Sequence, residues 1–93
     1  MKESVIENYL KNKVKSMKGI AIKLNSMSMS GLPDRMVLLP KGIILFVELK
    51  RPGGKARPLQ LVTHRLLKNL GFEVYVIDSK KQVEEVLNKY GEI

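Results

Sequence analysis

The chain has 93 residues, a formal net charge of +8, one histidine and no cysteine. That length implies one domain, 1–93, built around a single core. Disulfides and thiolate metal centres are excluded, and a lone imidazole leaves zinc short of its preferred ligands. No apolar run approaches the roughly 18 residues of a membrane span, and the N-terminus lacks a signal-peptide core, so a cytoplasmic protein with no membrane contact is expected. The basic excess suits a polyanionic partner.

Along residues 3–17, Val5, Ile6, Tyr9, Leu10, Val14 and Met17 recur at three- and four-residue spacing. This predicts an amphipathic helix, with Gly19 as its stop. Ile20-Ala21-Ile22-Lys23-Leu24 reads as a short strand. The next segment, Asn25-Ser26-Met27-Ser28-Met29-Ser30, reads either as an extension of that strand or as a loop. Met36-Val37-Leu38-Leu39 and Ile43-Ile44-Leu45-Phe46-Val47 flank Pro40-Lys41-Gly42, the pattern of a β-hairpin. A basic Gly/Pro loop, Arg51-Pro52-Gly53-Gly54-Lys55-Ala56-Arg57-Pro58, follows. Its last residue suits the first turn of a second helix. There Leu59, Val62, Leu66 and Leu70 form one stripe, and Gly71 ends the helix. Residues 72–77 read as a buried strand, and Ser79 with Gln82 as a capping box for a final helix carrying Val83, Val86, Leu87 and Tyr90. The order is αβββαβα. Its first three strands should run antiparallel, and the third and fourth parallel through a helical crossover. The fold class is α/β, a small mixed sheet flanked by helices.

The hairpin carries the chemistry. Asp34 precedes its first strand and Glu48 ends its second, so the two carboxylates meet at one edge. Residues two apart on a strand share a face, which places Lys50 beside Glu48 and turns Val47 and Leu49 away. A charge inside the apolar run 43–49 is costly unless paired or bound to a cation. Asp34, Glu48 and the Leu49 backbone carbonyl make an oxygen seat suited to Mg²⁺ or Mn²⁺. A cation held there would acidify an attacking water and polarise a phosphate, while Lys50 orients the water or offsets developing charge. These residues read as a metal-dependent nuclease.

Gly31, Pro33-Asp34-Arg35, Phe46-Val47-Glu48-Leu49-Lys50 and Gln60, in that order and spacing, resemble the PD-(D/E)xK nuclease superfamily, in particular its virus-type replication-repair (VRR-NUC) branch. The likeness spans residues 3–86, including 70–77. It implies a restriction-endonuclease-like core and a deoxyribonuclease dependent on Mg²⁺ or Mn²⁺. It also implies a site role for Gln60, on a scissile phosphate or bracing Lys50. Glu7 on the first helix would reach the metal directly or through water, with Glu3 as substitute in the other register. Arg35 would contact phosphate or brace the site, and Arg51, Lys55 and Arg57 would contact DNA phosphates. His64 is expected to face solvent, and the Met27/Met29 pair to serve packing.

Stand-alone chains resembling this one resolve four-way DNA junctions, in bacteria or phage-infected hosts. With the small size and the prevalence of two-fold symmetry, this implies a homodimer acting on branched DNA. Flap or general DNA cleavage in replication and repair is the alternative within the class. A non-catalytic basic DNA-binding module and a regulatory protein with a basic partner-binding face are alternatives outside it.

Overall fold

The computed structural model describes residues 1–25, 27 and 29–91. Its elements are α1 (Glu3–Ser16), β1 (Ile20–Lys23), β2 (Arg35–Leu39), a 3₁₀ turn (Pro40–Gly42), β3 (Ile43–Leu49), α2 (Pro58–Asn69), β4 (Glu73–Ile77) and α3 (Lys80–Asn88). The four strands form one sheet in the order β1-β2-β3-β4. β1/β2 and β2/β3 are antiparallel and β3/β4 is parallel, as the connections required.

Strand alternation divides this sheet into two unlike faces. One face carries Val37, Leu39, Leu45, Val47, Leu49 and Ile77, all packed into the core. Ile6, Leu10 and Val14 of α1 and Val83, Val86 and Leu87 of α3 close over it. Burying each such aliphatic side chain contributes about 1.5–3 kcal/mol, so the fold's apolar stabilisation is concentrated here. The opposite face carries Phe46, Glu48 and Val74, buried beside α2, with Ile44 and Val76 partly exposed. Phe46 and Phe72 meet edge to face, their centroids 5.6 Å apart.

Several local expectations need correction. The stripe Leu59, Val62, Leu66 and Leu70 does not face the core; all four side chains are exposed, and α2 buries Thr63 and His64 instead. Val5 lies outside the buried face of α1. That helix is ended by Lys18 in the left-handed region (φ 68°), not by Gly19. The Gly19 N–H closes on the Val14 carbonyl and that of Lys18 on Lys15, a Schellman ending. Gly19 is needed for another reason, since a Cβ there would sit 2.4 Å from the Leu38 carbonyl oxygen.

β4 starts at Glu73, and along it only Val74 and Ile77 are enclosed, one on each face of the sheet. The capping box of α3 is half formed. Ser79 accepts from the Gln82 N–H, but Gln82 accepts from Asp78 rather than from Ser79. β1 ends at Lys23, and the methionine/serine alternation falls partly on Ser26 and Ser28, outside the described residues.

Candidate active site

The hairpin register pairs Arg35 with Val47, which sets Asp34 across from Glu48 at the open end of the ladder. Asp34 Oδ2 accepts the Leu49 N–H at 2.8 Å, so the carboxylate is fixed to the strand that carries Glu48. The approach to Asp34 is pinned as well. Gly31 has φ +80°, and a Cβ there would lie 2.6 Å from the Leu59 carbonyl oxygen and 2.7 Å from Thr63 Oγ1. Only glycine tolerates both that backbone conformation and that contact. Thr63 Oγ1 donates to the Ser30 carbonyl at 2.7 Å, clamping the loop onto α2.

Glu48 is 2% exposed. Its Oε2 accepts from Gln60 Nε2 at 2.8 Å and pairs with Lys50 Nζ at 3.2 Å. Gln60 accepts the Arg57 N–H at 2.9 Å through its other end, satisfying a free donor at the start of α2. Glu48 Oε1 has no partner among the described residues; His64 Nε2, also buried and unpartnered, is 4.0 Å away.

Burial, and then the charge of Asp34, push the Glu48 carboxyl above its usual range, against the opposing pull of Lys50 and Gln60. Burial, followed by the Lys68 and Lys50 charges, holds His64 below the ordinary imidazole value, so it is neutral at pH 7. The solvent-facing position expected for His64 is therefore wrong. Its imidazole is enclosed because α2 lies with its polar side against the sheet.

The remaining candidates separate by face. Asp34, Glu48, Lys50 and Gln60 are gathered beside α2. Arg35, one residue beyond Asp34, takes the α1 side by strand alternation. Its Nε and Nη2 each lie 2.9 Å from Glu7 Oε2, and its Nη1 donates to the Ala21 carbonyl. Arg35 is thus buried in a brace rather than offered to solvent, and the Glu7 oxygen in that brace is committed to it. Among the described residues, no three Asp, Glu, His or Cys side chains converge as a ligand set.

Arg51, Lys55 and Arg57 are exposed on the connection to α2. There Pro52 and Gly53 (φ +79°) form a tight turn closed by Gly54 N–H to the Arg51 carbonyl. Asp78 fixes the turn by accepting the Gly53 N–H at 3.1 Å. Asp78 escaped the sequence reading; its place just beyond the parallel partner of β3 was the available signal. A cleft of about 350 Å³ lined by Gly31, Asp34, Arg57 and Gln60 among others opens beside the carboxylates.

The donor set fits a hard divalent cation. It offers two carboxylates that repel one another, a buried Glu48 oxygen without a partner among the described residues, and no cysteine sulfur. Asp34 and Glu48 would hold the ion, with the Leu49 carbonyl as the backbone donor beside them.

A mixed four-stranded sheet that presents Asp34, Glu48 and Lys50 at one end has the architecture of a restriction-endonuclease-like nuclease. No family model matches the chain. Over 80 residues it is 46% identical to "Putative nuclease p44" of Acyrthosiphon pisum secondary endosymbiont phage 1, an alignment covering 86% of each chain. A solved structure described as a VRR_NUC domain superposes with a TM-score of 0.87 at 36% identity, covering 95% of this chain and 96% of that one. The chain belongs to the VRR-NUC family of nucleases.

Proposed function

We propose that this protein is a Mg²⁺- or Mn²⁺-dependent DNA endonuclease whose chemistry rests on Asp34, Glu48 and Lys50. The observation that carries this reading is a nearly inaccessible Glu48 bonded to Lys50 and Gln60, beside Asp34, in a chain of nuclease family. When bound, a divalent cation supplies an acidified water and neutralises charge on the phosphate. Asp34, Glu48 and the Leu49 carbonyl hold it. In extended backbone the N–H and C=O of one residue open toward the same side. The Leu49 N–H reaches Asp34, which supports its carbonyl as part of the same seat.

Lys50 orients the attacking water and offsets charge developing on the phosphoryl oxygens. Gln60 braces Glu48 rather than Lys50, and Glu7 supports the site through Arg35. The exposed Arg51, Lys55 and Arg57 hold the DNA backbone. Substituting them should weaken binding to all DNA sequences and flatten its salt dependence by about one phosphate contact per charge removed.

The substrate class we assign is branched DNA, cut by a homodimer in the cytoplasm of a bacterial or phage-infected cell. The outward stripe of α2 supports the dimer: Leu59 and Val62, near the site-bearing loop, are each more than half exposed, as is Leu70 at the other end of the helix. Two copies joined through that stripe would set two sites at a fixed separation. Among the described residues, no helix is long and apolar enough to cross a membrane.

A cleavage assay on duplex, flap and four-way-junction DNA, with Mg²⁺, Mn²⁺ or excess chelator, tests the reading. Metal-dependent cutting with preference for junctions is expected. Full activity in chelator would remove the metal site, and equal cutting of all substrates would remove the junction assignment alone.

A further inference from the structure

We infer that His64 is a positioning residue for Glu48, with its Nε2–H holding the second carboxylate oxygen; this rests on the reading of Glu48 as a cation ligand. Glu48 Oε1 and His64 Nε2 are the buried side-chain polar atoms left without a partner among the described residues, and they face one another at 4.0 Å. That separation is beyond a hydrogen bond, and a shift of roughly 1 Å would bring it into the N–H···O range. Two orphaned atoms of complementary type at one place point to a contact that closes when the carboxylate takes up its working position. Among the described residues nothing else in the site takes this role, since Lys50 and Gln60 both act on Oε2.

A carboxylate held by one oxygen can still turn about its terminal torsion, which is broad. A donor on the other oxygen fixes the plane, and with it the direction of the remaining lone pairs. An imidazole suits this task, because it can carry a proton on Nε2 and donate it to a carboxylate oxygen. The placement on α2 agrees. Gln60, Thr63 and His64 share one side of that helix, and each addresses the Asp34–Glu48 end of the sheet.

The test compares the full-length wild type with His64→Met and His64→Gln. Met fills similar space without a donor, whereas the Gln amide nitrogen reaches close to where Nε2 lies. Three readouts are needed: Mn²⁺ affinity by calorimetry without DNA, the Mg²⁺ concentration that half-saturates cleavage, and the thermal midpoint. His64→Met should weaken Mn²⁺ binding about ten- to a hundredfold and raise the half-saturating Mg²⁺ in parallel. Its midpoint should not fall, and His64→Gln should recover most of the affinity.

Wild-type Mn²⁺ affinity in His64→Met would overturn the inference and leave the nuclease reading intact. A His64→Gln protein as weak as His64→Met would also overturn it, as would unfolding of both variants, since either assigns the imidazole to packing. Absence of Mn²⁺ binding by the wild type would overturn the metal reading of Glu48 and this inference together.

Discussion

Helices α2 and α3 pack on opposite faces of the same sheet, and they turn opposite kinds of residue inward. α3 buries Val83, Val86 and Leu87 and leaves Lys80, Lys81, Glu85 and Asn88 in solvent, the ordinary amphipathic arrangement. α2 buries Thr63 and His64 and half-buries Gln60, while Leu59, Leu61, Val62 and Leu66 stay exposed. The cause lies across the interface. α3 covers the side of β3 that carries Val47 and Leu49, whereas α2 covers the side that carries Glu48. A buried carboxylate needs donors, and an aliphatic helix face over it would leave the charge unpaired. Neighbouring residues of one strand thus divide the molecule into a side that holds the fold and a side that gathers the candidate catalytic residues.

Substitutions on the chemical side should separate most sharply from the rest. Lys50→Ala and Asp34→Asn are each expected to slow cleavage by about a hundred- to a thousandfold. Both should keep the wild-type circular dichroism and most of the DNA affinity, because the proposed phosphate contacts lie mainly on the loop. Wild-type turnover by Lys50→Ala would break the division at once.

The converse experiment acts on α3. Leu87 is fully enclosed, so Leu87→Ala should lower stability by about 2–5 kcal/mol in urea unfolding. The rate per folded molecule should stay near wild type. If the cleavage loss exceeded the folded fraction, the two faces would be coupled.

A smaller effect is expected on the outward side of α2. Val62, 63% exposed, can become lysine with a change in monomer stability within about 0.5 kcal/mol. Light scattering at micromolar concentration should then report a monomer, against the dimer proposed for the wild type. A Val62→Lys protein that remains dimeric would move the interface elsewhere.

This division was only half legible in the sequence. The α3 stripe and the hairpin register were readable because apolar periodicity and strand alternation carried them directly. The juxtaposition of Asp34 and Glu48 followed from the hairpin alone. α2 was misread because Leu59, Val62, Leu66 and Leu70 repeat with the same helical period as Gln60, Thr63, His64 and Leu67. Periodicity names two faces without saying which one is inside. The deciding information sat in another element: Glu48 in an apolar strand required polar partners, and the helix that follows it supplies them. The Glu7–Arg35 brace was hidden for a related reason. Arg35 adjoins Asp34 in sequence but takes the opposite side of the strand, so proximity in the chain suggested a shared site.

The most direct measurement is made on Glu48→Gln, with cleavage and thermal midpoint read on the same preparation. Burial and the charge of Asp34 raise the Glu48 pKa above its reference of 4.5. Its contribution to stability is therefore full below that value and declines as pH rises through the folded-state pKa. In cation-free buffer, the midpoint of Glu48→Gln should gain on wild type as pH rises from about 4.5 toward 7. Cleavage at saturating Mg²⁺ should meanwhile fall by about a hundredfold or more. A protein that gains on wild type in stability as pH rises while losing its activity is the result this account predicts. Wild-type cleavage by Glu48→Gln, or a loss of activity explained by unfolding, would contradict it.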